Sequence, residues 1–226
     1  MGAESTRPGA IPVSEAEELN RLLPVLRALK GQIRIPISVD TTKSEVAKRA
    51  LREGAHIIND VSGLRQDPTL AQVVEEFRAG LILMHRRGTP ETMQLMTDYD
   101  DLIGEVMREL SQSMEIAESH GISNDQLVID PGIGFSKTVE QNLELIERLG
   151  EFKRLGRPIL VGPSRKSFIG AITKASPDKR LVGTIAACVL AVERGVNLLR
   201  VHDVWAIKEA ISVAEAVLNS KNKVKV

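Results

Sequence analysis

The strongest constraint in this chain is an alternation. Short apolar, β-branched runs are separated by longer stretches of helical period, the pattern of βαβ units around a parallel sheet. Six such runs stand out, at residues 35–39, 56–61, 81–85, 127–130, 158–162 and 197–202. Nearly every one ends in a polar or glycine-rich cluster, and the carboxyl ends of parallel strands are where α/β folds place their chemistry. Helical period fills the gaps, over about 68–78, 98–120, 139–149, 178–194 and 204–219. An opening helix carries Leu19, Leu22, Leu23, Leu26 and Leu29, and Pro24 inside it predicts a kink or a restart. The spacings Ser14 to Glu17 and Thr42 to Glu45 predict two capping boxes, and Gly54 predicts a left-handed stop before the next strand.

Six units do not close an eight-stranded barrel, and closure is what removes the edges of an all-parallel sheet. An open doubly wound sheet normally carries a G-x-G-x-x-G loop after its first strand, and none is present there. The expected fold is therefore an incomplete α/β barrel. No linker rich in Pro, Gly or Ser interrupts the pattern, so residues 1–226 are expected to form a single domain. With aromatics at only 3%, the core must rest on Leu, Ile, Val and Ala. Lys+Arg and Asp+Glu are each 30, so no global field draws the chain to nucleic acid or an anionic membrane, and an anionic ligand needs a local site. The single cysteine, Cys188, sits in an apolar run and reads as a core thiol. That usage suits a reducing compartment, and with no apolar stretch of spanning length and no signal-like start the expectation is cytoplasmic. The basic end at 221–226 reads as a solvated, frayed terminus.

The chemistry lies in the strand-end loops. Residues 2–10 (GAESTRPGA) combine a hydroxyl, Thr6, a guanidinium, Arg7, and a stiffening proline, Pro8, as an anion-binding loop or a plain helix entry. Asp40 in SVDTTK is either a site carboxylate or the N-cap of the following helix. INDVSG places Asn59 and Asp60 at the end of an apolar strand, where a buried amide needs a polar ligand or neighbour. LVIDPGIGFSK supplies Asp130, glycines that allow close backbone approach, and Phe135 as an apolar wall. LVGPSRKSFIG sets Ser164, Arg165, Lys166 and Ser167 just before a short helix, and LLRVHDV alternates so that Arg200 and His202 share a face. A carboxylate recognises a guanidine-like N–C–N edge through two parallel hydrogen bonds, which is the edge of a pterin or a guanine. Lys166, Arg200 and His202 neutralise an anion, most naturally a phosphate or diphosphate. His85 is open between core and site, while His56 and His120 read as structural.

In this order, GAESTRPGA, SVDTTK, INDVSG, LMHRRGTPETMQ, DPGIGFSK, GPSRKSFIG and RVHDV resemble the successive strand-end motifs of the dihydropteroate synthases. Ala3 and Arg86 depart from that family's pattern, and the resemblance implies an α/β fold, a TIM-type (β/α)8 barrel that in this sequence lacks its first strand, its first helix and most of its second strand. The resemblance implies a transferase of folate biosynthesis that condenses 6-hydroxymethyl-7,8-dihydropterin diphosphate with 4-aminobenzoate, giving dihydropteroate and diphosphate. Carried over, Asp40, Asn59, Asp130 and Lys166 would bind the pterin, with Met84 and Phe135 lining its pocket. Asn59, Arg200 and His202 would meet the diphosphate, and Thr6, Arg7, Pro8, Lys166 and Ser167 the aminobenzoate. Asp130, Lys166, Arg200 and His202 are the expected catalytic set. The family also implies a Mg2+ cofactor, whose asparagine is expected to lie outside this sequence, as well as a homodimer and sensitivity to sulfonamides. A methyltetrahydrofolate corrinoid methyltransferase, or a pterin-binding protein without turnover, are the alternative functions.

Overall fold

The computed structural model describes residues 1–220, and the basic end at 221–226 lies outside the described residues. Helix α1 (Glu15–Leu29) opens at Ser14, whose hydroxyl accepts from Glu17 N at 3.2 Å. Three glutamates in its first turn suit the positive end of the helix dipole. The chain does not restart at Pro24: the helix is continuous through it. Leu22, Leu23 and Leu26 are buried along one side, and that packing outweighs the one hydrogen bond a proline forfeits.

The strands then follow in sequence order as one parallel arc. β1 (Ser38–Asp40) pairs with β2 (Ile57–Asp60), β2 with β3 (Gly80–Met84), and β3 with β4 (Leu127–Asp130). Ile129 bridges to Ile159 at the start of β5 (Leu160–Val161), which pairs with β6 (Leu198–Leu199). On the other side of β1, Gly2 bridges in parallel to Asp40, and Asp40 N donates to Met1 O at 2.6 Å. The first and last strand pairs are shorter than the apolar runs predict. Pro36 has no N–H to give a ladder, and Ile35 is exposed rather than paired.

Helices alternate with the strands: α2 (Ser44–Arg52), α3 (Leu70–Glu76), α4 (Leu102–Ser119), α5 (Val139–Glu147), α6 (Ser167–Thr173), α7 (Leu181–Glu193) and α8 (Val204–Ser220). The expected capping box at Thr42 does not form. The first turn of α2 is capped from outside, by Asp67 Oδ2 accepting from Ser44 N at 2.8 Å. Gly54 does adopt the left-handed conformation, with φ at 103°. The aliphatic core runs from α1 through Val39, Ile58, Leu81, Leu83, Ile129 and Val161 to Ala187 and Ala191 of α7. Cys188, between these two alanines, is fully buried, and burial pushes its thiol up to about 12. A second, small cluster of Val61, Met84, Met93 and Phe135 sits at the carboxyl ends of the strands.

Candidate active site

Register brings the first two polar groups together. Asp40 and Asn59 are partners in the β1–β2 ladder, and Asn59 donates its amide to Asp40 Oδ1 at 2.9 Å. Asp40 therefore is not a helix cap, and Lys43 occupies the N-cap position of α2. The other half of the Asn59 amide, Oδ1, is buried without a partner, so it presents an acceptor to a ligand. Asp60, one residue on, turns the other way and closes its own loop, accepting from Ser62 N at 2.8 Å and Leu64 N at 2.6 Å. At the end of β4, Asp130 is register partner to Met84 and accepts from Gly132 N at 2.8 Å. Burial pushes its carboxyl up to about 6, opposed by that hydrogen bond and by the charges of Lys166, Lys137 and Arg200.

The loops after β5 and β6 are locked to each other. Arg165 forks onto Asp203, with Nη2 to Oδ1 at 2.7 Å and Nε to Oδ2 at 3.1 Å. Its backbone is left-handed, φ 56°, and is held by Thr184 Oγ1 accepting from Arg165 N at 3.0 Å. That turn aims Lys166 inward, where its Nζ lies 4.1 Å from the centre of the Phe135 ring. Burial lowers the Lys166 ammonium to about 8. The Ser164 hydroxyl accepts from His202 N at 3.3 Å and lies 2.8 Å from His202 Nδ1. A hydroxyl has one proton and two lone pairs, so Ser164 can meet either tautomer of the neutral imidazole at Nδ1 and leaves Nε2 for a ligand. Burial, and then Arg165 and Arg200, hold His202 below its ordinary value, toward that neutral form. Arg200 reaches across the strand ends to pair with Asp40 Oδ2.

The loop at 2–10 is hung from a buried ion cluster that the sequence reading missed. Glu4 accepts from Val13 N at 2.8 Å and from Lys43 Nζ at 2.9 Å, and Lys43 also binds the buried Glu18 at 2.7 Å. Gly9 N donates to Pro90 O at 2.9 Å, tying the same loop to the one after β3.

These elements enclose a cavity of about 560 Å3. Thr6, Arg7, Pro8, Phe135, Lys166, Ser167, Arg200 and His202 line it, which unites eight of the expected site residues from loops far apart in sequence. Met93, Pro177 and Arg180 also line it, and neither periodicity nor spacing had marked them. Asp40, Asn59, Met84 and Asp130 are not in its wall. They lie at the adjoining strand ends, joined to it by Arg200 on Asp40, by Lys166 near Asp130, and by Met84 packed with Met93 and Phe135. His56 and His120 are structural: His56 Nδ1 accepts from Ile37 N at 3.2 Å, and His120 Nδ1 lies 2.9 Å from Ile116 O. Among the described residues, no three His, Cys, Asp or Glu side chains converge as a metal cage. The charged groups on this cavity's wall are cationic, so it does not fit a divalent ion held by protein alone.

A family model described as pterin binding enzyme matches residues 1–202. The chain belongs to that family. Within the pterin-binding enzymes, the relatives it matches include dihydropteroate synthases. That of Synechocystis sp. is 49% identical over 96% of this chain and 75% of its own length. Among solved structures, the dihydropteroate synthase of Clostridium difficile, determined with pteroic acid, superposes with a TM-score of 0.91 at 44% identity, over 96% of this chain and 80% of its own. The Yersinia pestis dihydropteroate synthase in a sulfonamide drug complex gives 0.93 at 38% identity, over 96% and 78%. The fold is thus that of the barrel enzymes to which these synthases belong, and the synthase reading, not the corrinoid methyltransferase, is the one these relatives carry.

Proposed function

We propose that the site joins 4-aminobenzoate to a dihydropterin diphosphate, with the pterin at the strand ends and the aminobenzoate in the cavity. The observation that carries this division of labour is the cavity itself, where Thr6, Arg7 and Pro8 face Lys166, Ser167, Arg200 and His202. Asp130 and the Asp40–Asn59 pair offer the acceptors and donors that an amino-keto heterocycle presents along its edge. Arg200 and His202 meet the diphosphate. The reaction breaks the C–O bond at the pterin methylene, and its electron pair leaves with the diphosphate. The amine nitrogen of 4-aminobenzoate bonds to that carbon and then sheds a proton. Asp130 stabilises positive charge developing on the pterin while Arg200 and His202 stabilise the departing anion. The aryl amine attacks as the neutral base, so no strong general base is required. Mg2+ is assigned only as the companion of the diphosphate, which is how that ion is commonly held.

We assign the chain to the cytoplasm. In support, no described helix is long and apolar enough to cross a membrane, and Cys188 is a free, buried thiol. We also assign a homodimer through α7 and α8, where Val182, Leu190, Trp205, Val213 and Val217 are exposed. Sedimentation equilibrium giving a monomer at all concentrations would reject it. Sulfonamides are expected to compete with 4-aminobenzoate. The deciding assay is dihydropteroate formation from the two substrates with Mg2+, and pterin binding without product would reduce the chain to a binding protein.

A further inference from the structure

The loop between β4 and α5 folds around the ammonium of its own last residue. Lys137 is buried, and its Nζ donates to Phe135 O at 3.1 Å, to Gly132 O at 3.3 Å and to His85 Nδ1 at 3.0 Å. An ammonium has three protons, and here each has one acceptor. Because Nδ1 of His85 accepts, its proton sits on Nε2, which donates to Glu109 Oε2 on α4 at 3.1 Å. Burial, then the Lys137 charge, lower His85 to about 3, so the ring is a neutral connector. Glu109 is itself held by Arg65 at 2.8 Å and Arg87 at 2.9 Å. The chain Lys137–His85–Glu109 therefore ties the inside of this loop to the outer helical layer.

The loop needs such a tie. Gly132, Gly134 and Ser136 all have positive φ, at 75°, 81° and 46°, a run that does not hold its shape unaided. The same peptide serves both purposes at Gly132: its N–H holds Asp130 and its C=O accepts from Lys137. Phe135 likewise gives its carbonyl to Lys137 and its ring to Lys166. We propose that Lys137 is a positioning residue for the pterin end of the site, holding the 131–137 loop so that Asp130 and Phe135 meet the substrate. This rests on the pterin-binding role of Asp130 and Phe135 argued above.

The charges that face Asp130 are Lys137 on its own loop, Lys166 after β5 and Arg200 after β6. Those that face Lys137 are Asp130, Glu109 and Arg87, and Lys166. Removing the Lys137 cation takes away one of three charges that keep Asp130 ionised, so the carboxyl must titrate at higher pH. Loss of packing with the charge kept would not move that titration.

The test is calorimetric binding of 6-hydroxymethylpterin to the full chain across pH, with hydrogen exchange read at the Gly132 and Gly134 amides. Lys137→Met is expected to weaken the pterin about tenfold, to move the acid limb of binding upward, and to speed exchange at both amides. A folded Lys137→Met protein with wild-type affinity, an unmoved acid limb and unchanged exchange overturns the proposal. Should that variant fail to fold, His85→Leu against His85→Gln decides, because only glutamine leaves an acceptor for the third Lys137 proton. Weaker binding and faster exchange in the leucine variant alone support the role, and equal behaviour of the two overturns it. A wild-type chain that binds no pterin would instead reject the site reading, while the exchange data would still decide what Lys137 does to the loop.

Discussion

Asn59 and Asp40 are neighbours in the β1–β2 register, and a 2.9 Å hydrogen bond from the Asn59 amide to Asp40 Oδ1 joins them at the strand ends. Because Arg200 holds the other oxygen of Asp40, the cation proposed to meet the diphosphate and the pair proposed to meet the pterin form one network. Asp40→Ala and Asn59→Ala are each expected to cost about 1–3 kcal/mol of pterin binding. Calorimetry on both single variants and the double should give a double loss smaller than the sum, as residues in one network do. Strict additivity would mean that the pair does not act together.

The pH dependence follows from burial. In the proposed function Asp130 binds a guanidine-like edge as the carboxylate, and burial pushes its carboxyl up to about 6 from 3.8. Lys166 is proposed to act as the ammonium, which burial lowers to about 8 from 10.5. Pterin affinity should therefore fall as pH drops through about 6 and again as pH rises through about 7 to 8, where Lys137, lowered by burial to about 7, and then Lys166 lose their protons. Lys166→Met should remove the part of the alkaline limb near 8. An acid limb near the free carboxylate value would contradict the role given to Asp130.

Glu4 holds the Thr6–Arg7–Pro8 loop through Val13 N and Lys43 without lining the cavity. Glu4→Gln keeps an acceptor for the amide and loses the charge that Lys43 binds. Steady-state kinetics are expected to give a KM for 4-aminobenzoate raised about five- to tenfold, with the pterin diphosphate KM unchanged. Equal effects on both would place Glu4 in general stability instead.

Cys188 is a test of the core rather than of the site. Cys188→Ser puts a hydroxyl where the thiol is fully buried, and should lower unfolding free energy by about 1–3 kcal/mol while leaving turnover unchanged. Denaturant melts and an alkylation time course check it, since the native thiol, pushed up to about 12, should react only on unfolding.

Much of this protein was legible before folding. Periodicity located the six strands and most helices, because a parallel strand buried on both faces must be an apolar run and a covering helix must be amphipathic. Chemistry collects at strand ends, so the motifs offered Asp40, Asn59, Asp130, Lys166, Arg200 and His202 as candidates, and the family resemblance supplied the roles proposed for them. The errors were local. Pro24 did not break α1, because buried leucines on both sides of it hold the helix, and Thr42 did not cap α2, because Asp67 from another loop reached Ser44 N first.

What the amino-acid order determined was therefore the kind of fold and the residues able to bind. Partnership was decided only in three dimensions. Whether Asp40 is a cap or a ligand depends on the register that sets it against Asn59, and whether His85 belongs to the site depends on Lys137, 52 residues away, arriving at its Nδ1. Hydrogen bonds and burial act over a few ångströms of space, whereas a sequence records only separation along the chain, so the Lys137–His85–Glu109 tie and the Lys43 cluster had no signature in spacing.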